Sequence, residues 1–207
     1  MTLMISTSYK CIFVMISKVA STSIRTAFYE KRKPLENGYF DGEHNTIGYY
    51  REKYPQEFEH YFKFAFVRNP WDRIHSQYLY QRYTRQSEFA NCSFLEWLLK
   101  CEDHLQRGDT FPFSRNREIF VYHMTDQLGW VTLDGGVAVD FIGRYETLEA
   151  DFVRVCEWLD ADITLQKHNV SNRQSSYVSA YCDRGIELVA RWHSKDIDYF
   201  GYQFAGL

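Results

Sequence analysis

The stretch that decides the fold is CIFVMISKVASTSIR, residues 11–25. It begins with a continuous apolar run at residues 11–16, which is the pattern of a strand buried on both faces of a parallel sheet. A short loop follows, and apolar residues at helical spacing then continue from residue 22 to about residue 32. A buried strand that passes through a short loop into a helix indicates an α/β domain.

The loop in this stretch has the composition of an anion-binding site. Lys18 supplies a positive charge, and four small residues follow it closely: Ala20, Ser21, Thr22 and Ser23. The N–H groups at a helix start carry the positive end of the helix dipole and bind phosphate or sulfate. Small side chains let an anion approach them, and the hydroxyl groups add donors. Taken alone, the segment also fits a Ser/Thr-capped helix with a surface lysine.

The order of residues in this loop differs from that of the nucleotide triphosphate loop. That loop, GxxxxGK[ST], places two glycines before its lysine. Here Lys18 precedes the small residues, and residues 11–25 contain no glycine. The order therefore favours an anion held without magnesium over a metal-bound triphosphate.

A second strand and helix start occurs in FVRNPWDRIHSQY, residues 66–78. Asn69 and Pro70 suit the cap and the first position of a helix. Arg68 precedes them at the strand's end, where its guanidinium can bind a phosphate through two N–H groups. Ser76 lies nearly two turns after Asn69, so we expect Arg68 and Ser76 to converge on one anion. A capped helix with a paired arginine is the alternative.

The remaining sequence predicts one α/β domain over residues 1–207 with a central, mostly parallel sheet flanked by helices. We expect a strand at 61–67 and a hairpin around Asp134-Gly135-Gly136. Helices are predicted at 46–61 with a break near Pro55, at 69–85, at 94–101, at 147–159 and over most of the last thirty residues. A strand is predicted at 141–145, and residues 85–130 are a candidate acceptor-side insertion.

Net charge, cysteine spacing and apolar run length argue against several classes of protein. The 207 residues carry a net charge of −3, which argues against a general nucleic-acid binder and requires a local cluster of cations for any anionic ligand. The five cysteines contain no C-x-x-C pair, so we expect a reducing, cytoplasmic location, although a truncated luminal domain would look similar. The apolar run at residues 11–16 is too short to span a membrane.

Together, these motifs resemble the sulfotransferase superfamily. The closest likeness is to its carbohydrate-type, family 2 members, including bacterial ones. Two further segments agree with that family: FIGRYETL at residues 141–148, and DIDYFGYQF at residues 196–204. The resemblance covers most of the chain outside residues 85–130, and it depends on the combination of motifs.

The resemblance implies a P-loop-like three-layer sandwich that uses 3′-phosphoadenosine-5′-phosphosulfate (PAPS) as sulfate donor. Lys18 and the small residues Ala20, Ser21, Thr22 and Ser23 match the family's 5′-phosphosulfate loop. Arg68 and Ser76 match its 3′-phosphate element, and Arg173 lies in a segment similar to a late nucleotide-contacting loop. The resemblance also implies that the acceptor is a hydroxyl group of a carbohydrate.

Sulfuryl transfer resembles phosphoryl transfer, so catalysis is expected from positioning and charge stabilisation. We predict that Lys18 neutralises charge on the leaving oxygen and that His44 is the general base, with no metal. Glu43 is an alternative base, His75 and His168 are weaker candidates, and a surface-loop role for His44 stays open.

Three other functions are compatible with parts of the sequence. A non-catalytic module for 3′,5′-bisphosphorylated adenosine would keep Lys18, Arg68 and Ser76 and lack a base. A P-loop-like kinase would need a glycine loop and a magnesium carboxylate, neither of which is found. A helical interaction domain would suit the 18% aromatic content and would leave both anion motifs unexplained. The sequence does not specify the acceptor or the oligomeric state.

Overall fold

The computed structural model describes residues 5–30, 44–83, 91–107, 124–165 and 176–205. Their contacts divide the chain into two compact units. The first unit is formed within Met1–Arg68 and Gln127–Asn172, and the second within Asn69–Asp126 and Arg173–Leu207.

The first unit contains a four-stranded sheet. Its strands, in sheet order, are β1 (Ile5–Ser6), β2 (Cys11–Val14), β3 (Phe62–Val67) and β6 (Phe141–Arg144). Strands β2, β3 and β6 are parallel, and β1 pairs with β2 in the antiparallel direction. The predicted α/β fold with a mostly parallel sheet is confirmed, whereas the P-loop-like three-layer arrangement stays a prediction.

Helices connect the strands of the first unit in its described part, and among them the four-residue helix at residues 128–131 was not predicted. They are α1 (Ser21–Glu30), α2 (Ile47–Lys53), α3 (Pro55–His60), α6 (Leu128–Val131) and α7 (Leu148–Trp158), with a 3₁₀ turn at Tyr145–Thr147. Pro55 begins α3 and separates it from α2, as predicted, because proline lacks the N–H that a continuous helix requires.

The predicted hairpin is confirmed between β4 (Thr132–Leu133) and β5 (Gly136–Val137). Asp134 and Gly135 connect the two strands with φ angles of 51° and 84°. Two successive residues with positive φ are what a type I′ turn requires, and Asp-Gly adopts that conformation readily.

Aromatic rings fill the core of the first unit. Phe64 of β3 is in register with Phe13 of β2, and their rings stack 5.0 Å apart. Phe28 of α1 contacts the Phe64 ring, and the edge of the Phe152 ring from α7 meets Phe28. All four side chains are buried. This core holds α1 against the sheet and therefore fixes the loop that joins β2 to α1.

The second unit is helical in the part that the structure describes. Its helices are α4 (Pro70–Tyr83), α5 (Phe94–Arg107), α8 (Asp183–Trp192) and α9 (Ser194–Phe200), with a 3₁₀ turn at Tyr177–Ala180. The Oδ1 atom of Asn69 accepts a hydrogen bond from the N–H of Trp71 at 3.1 Å. The predicted asparagine cap is therefore confirmed.

Helix α5 continues beyond its predicted end near residue 101 and reaches Arg107. Its start is a capping box, in which Glu96 accepts hydrogen bonds from the N–H and hydroxyl of Ser93. The carboxylate of Glu102 then accepts hydrogen bonds from Arg191 and Trp192 on α8. Leu105, four residues after Cys101, continues the apolar spacing, so the longer helix was open to prediction from the sequence.

Candidate functional site

The loop between β2 and α1 has an unusual backbone. Lys18 and Ala20 both have a φ angle of 65°, in the left-handed region that costs a non-glycine residue about 1–2 kcal/mol. Val19 between them is buried and has no positive φ. Alternation of φ sign along successive residues turns backbone N–H groups toward a common concave side, which is a recurrent way to bind anions.

Helix α1 begins where this loop ends. Its first described intrahelical hydrogen bond runs from the N–H of Ile24 to the carbonyl of Ala20, at 3.1 Å. The N–H groups of Ser21, Thr22 and Ser23 therefore lie in the first turn, before the donors of the regular helical hydrogen bonds. They are at the positive end of the helix dipole. The first turn of α1 contains no acidic residue that would compete with an anion there.

The hydroxyl of Ser21 stabilises the loop from within. Its Oγ atom donates to the carbonyl of Ile16 at 2.5 Å, and the side chain is buried. Ser23 is also buried, whereas Thr22 is exposed. The hydroxyl of Ser21 thus donates its proton to the Ile16 carbonyl. The group of Ser21 that can donate to a ligand is its backbone N–H.

Arg68 connects the end of β3 to this loop. Its Nη1 atom donates to the carbonyl oxygen of Lys18 at 2.9 Å. The guanidinium carbon lies 3.8 Å from the centre of the Tyr145 ring, in the stacked position of a cation–π contact. Arg68 as a whole is only 4% exposed. The structure therefore places the guanidinium of the second motif against the backbone of Lys18 in the first motif.

Gln127 holds the backbone of Arg68. Its Oε1 atom accepts from the N–H of Arg68 at 2.9 Å, and its Nε2 atom donates to the carbonyl of Arg68 at 2.8 Å. The Gln127 side chain is fully buried. The side-chain amide of Gln127 thus pairs with both the backbone N–H and the backbone carbonyl of Arg68.

His44 lies against the same loop. Its Nδ1 atom is 2.7 Å from the carbonyl of Met15, and its ring forms a T-shaped contact with the ring of Trp130. A carbonyl only accepts hydrogen bonds, so Nδ1 carries the proton and neutral His44 has its lone pair on Nε2. Burial, assisted by the charges of Lys18 and Arg25, lowers the pKa of His44 from 6.5, although the Met15 contact opposes this. The ring is therefore neutral, and able to accept a proton, near pH 7.

The other predicted site residues have different positions. Ser76 belongs to the second unit, where it is half-buried on α4. Arg173, Glu43 and His168 lie outside the described residues. His75 is buried on α4, with its ring edge against Phe94.

Sequence reasoning missed Gln127 and Tyr145 as contributors to this site. Tyr145 directly follows β6, and the carboxyl end of a parallel strand is a position that faces ligand sites, so this signal was available. Gln127 lies in a segment without a recognisable pattern and contacts a residue 59 positions away. No local signal identifies such a pair.

Two properties of the described chain bear on cofactor and membrane binding. Among residues 5–30, 44–83, 91–107, 124–165 and 176–205, no group of three or more His, Cys, Asp or Glu side chains could hold a metal ion. No helix in the part of the chain that the structure describes has the length and apolar character needed to cross a membrane.

Comparison with known proteins adds independent information. The model of the sulfotransferase family, in its family 2 form, matches residues 1–203. An uncharacterized protein of Archaeoglobus fulgidus is 36% identical over 98 residues, which span 47% of this chain and 67% of the relative. No solved structure gives a significant match.

Proposed function

The chain belongs to the sulfotransferase family, and we propose that it moves a sulfuryl group from PAPS to a hydroxyl group of a carbohydrate. The family membership supports sulfuryl transfer in general. The identity of the donor and the class of acceptor are the further steps of the proposal.

The observation that carries the proposal is the contact between the two anion motifs. Arg68 Nη1 donates to the Lys18 carbonyl at 2.9 Å, so a guanidinium and the strained helix-start loop share one location. PAPS carries a phosphate on its 3′ position and a phosphosulfate on its 5′ position. Two adjacent sites for anions, each with its own cation, suit a nucleotide of that charge pattern.

The chain's residues have distinct roles in this proposal. The backbone N–H groups of Ala20, Ser21, Thr22 and Ser23 bind the 5′-phosphosulfate, and Lys18 neutralises the charge that develops on the leaving oxygen. Arg68 binds the 3′-phosphate. The assignments of Ser76 and Arg173 to the nucleotide rest on the sequence resemblance.

His44 is the proposed general base. In the reaction, the acceptor oxygen bonds to sulfur, the bond from sulfur to the 5′-phosphate oxygen breaks, and the acceptor proton passes to His44 Nε2. The products are a sulfate ester and adenosine 3′,5′-bisphosphate. The Met15 carbonyl supports this role because it holds the proton on Nδ1 and so directs the lone pair to Nε2.

A non-catalytic module for the bisphosphorylated nucleotide is the second candidate function. It would need the loop and Arg68, and nothing would require a neutral, oriented imidazole beside them. The contact of His44 Nδ1 with the Met15 carbonyl, which leaves the lone pair of the neutral ring on Nε2, favours the enzyme. A P-loop-like kinase is disfavoured because the loop lacks the glycines of the triphosphate motif.

Transfer of radiolabelled sulfate distinguishes these functions. The protein is incubated with labelled PAPS and a panel of sugars, and sulfated products are separated from the donor. A labelled sugar that the wild-type protein forms and the Lys18→Ala variant does not form would support the enzyme. Tight binding of adenosine 3′,5′-bisphosphate without transfer to any of the sugars would favour the binding module. Transfer of phosphate from ATP would instead indicate a kinase.

A further inference from the structure

We infer that Gln127 is a positioning residue for donor recognition, because its side-chain amide fixes the backbone from which Arg68 reaches the 3′-phosphate. This inference rests on the proposed function and assigns Gln127 a role in discriminating nucleotides with a 3′-phosphate from those without one. Gln127 itself touches no ligand in this account and acts only through Arg68.

The geometry of the pair is specific. Gln127 Oε1 faces the N–H of Arg68 at 2.9 Å, and Gln127 Nε2 faces its carbonyl at 2.8 Å. Both hydrogen bonds are buried. They resemble the bonds that a neighbouring strand would make, and they occur at the first residue beyond the end of β3, where the regular ladder stops.

The position of Arg68 explains why this pairing affects binding. A guanidinium lies at the far end of a long side chain, so a small rotation of the backbone displaces it by a much larger amount. Tyr145 supports the face of the guanidinium, and the Lys18 carbonyl accepts one of its N–H groups. These two contacts orient the tip, whereas Gln127 fixes the base from which the side chain extends.

If Gln127 had a purely structural role, its loss would weaken the binding of both nucleotides equally. The opposite end of β3 provides a matched control. There Asp140 pairs with the backbone N–H and carbonyl of Lys63. The Oδ2 atom of Asp140 accepts from the Lys63 N–H, and the backbone N–H of Asp140 donates to the Lys63 carbonyl, both at 2.7 Å. Asp140→Ala removes the side-chain half of that pairing, together with the 3.1 Å ion pair between Asp140 and the Lys63 ammonium, from the same strand at a distance from Arg68.

The test compares adenosine 3′,5′-bisphosphate with adenosine 5′-phosphate by calorimetric titration of the full chain. Gln127→Met keeps the side-chain length and removes both hydrogen bonds. We expect its affinity for the bisphosphate to fall by about tenfold or more and its affinity for adenosine 5′-phosphate to fall clearly less, because the 3′-phosphate contacts the Arg68 guanidinium directly, whereas the 5′-phosphate loop receives one hydrogen bond from it. Asp140→Ala is expected to retain both affinities.

A double-mutant cycle strengthens the test. In an Arg68→Met background, Gln127→Met is expected to cause no further loss of bisphosphate affinity, because the residue through which it acts is already gone. Losses that add fully would overturn the inference. If Gln127→Met does not fold, Gln127→Glu provides the same comparison, since it places a second oxygen against the Arg68 carbonyl and keeps the size of the side chain.

The outcomes separate the inference from the proposed function. A wild-type protein that binds the two nucleotides equally would overturn both. A wild-type preference for the bisphosphate that persists in the folded Gln127 variants would overturn only the positioning role. An equal loss of affinity for both nucleotides would assign Gln127 a structural role and would also contradict the inference.

Discussion

The guanidinium of Arg68 donates a hydrogen bond to the carbonyl oxygen of Lys18, at 2.9 Å, across 50 residues of sequence. The acceptor belongs to a residue whose own backbone is strained, with a φ of 65°. A charge-assisted hydrogen bond to that carbonyl stabilises a loop conformation that alanine or lysine would otherwise avoid. Arg68 therefore contributes both to the shape of the helix-start loop and to the positive charge beside it.

Lys18 is expected to be required for turnover. Lys18→Ala removes the ammonium that neutralises the leaving oxygen, so we predict a decrease in kcat of about 100-fold or more with the fold retained. The measurement is steady-state transfer of labelled sulfate, together with circular dichroism of the folded protein. Lys10 is a matched control, because it is an exposed lysine of the same unit with a positive φ of 47°. Normal turnover in Lys18→Ala would remove Lys18 from the mechanism.

His44 is expected to act on the proton of the acceptor and to leave donor binding unaffected. His44→Ala should retain the affinity for adenosine 3′,5′-bisphosphate while transfer decreases by roughly 100-fold or more, as for loss of a general base. Both quantities are measured on the same preparation. His60→Ala, an exposed histidine on α3, controls for general effects of losing an imidazole. Equal transfer by the wild type and His44→Ala would assign the base to another group.

The pH dependence of transfer follows from the environment of His44. Its burial, with the charges of Lys18 and Arg25, lowers its pKa below 6.5, so the base is neutral above that pKa and protonated below it. We predict that kcat/KM is constant near neutral pH and decreases as the pH falls through the lowered pKa. A profile that instead loses activity with rising pH through this range would show that His44 acts in its protonated form.

Arg25 provides a variant that shifts this profile. Its positive charge disfavours protonated His44, so Arg25→Gln should raise the pKa of His44 and move the acid limb to higher pH. The titration of the His44 ring followed by NMR measures the pKa independently of turnover. An unchanged or lowered pKa in Arg25→Gln would contradict the electrostatic account.

Gly143 of β6 is expected to be required for packing next to the site. A Cβ atom at this position would lie 2.4 Å from the ring of Phe66 in β3. Gly143→Ala should therefore lower the free energy of unfolding by about 1–3 kcal/mol, as overpacking of a core usually does. Gly136→Ala is the control, because its nearest atom is 3.9 Å away. Chemical denaturation measures both variants, and equal stability of the two would contradict the close contact.

The main elements of the first unit were predictable because their signals are local. A continuous apolar run identified β2, the Asp-Gly turn identified the β4–β5 hairpin, and Pro55 marked the break between two helices. Strand β1 was missed, since two residues are too few to show a pattern. The two strand-to-helix junctions were predictable because each helix start directly follows a buried strand.

Several details of the site could not be predicted from the sequence. Lys18 and Ala20 adopt left-handed backbone conformations, and neither residue type favours them, so the sequence alone does not reveal the shape of the loop. The Ser21 hydroxyl, expected to be a ligand donor, is directed to the Ile16 carbonyl. The pairing of Gln127 with Arg68 depends on the tertiary fold, because it joins residues from separate parts of the chain.

The proposed function requires that this chain binds a nucleotide carrying phosphates at both its 3′ and 5′ positions. The most direct measurement is calorimetric titration of the wild-type protein in EDTA with adenosine 3′,5′-bisphosphate and with adenosine 5′-phosphate. We expect saturable binding of the bisphosphate, tighter by about tenfold or more than that of the monophosphate, since a second charged contact is made. Absence of binding, or equal affinity for the two nucleotides, would contradict it.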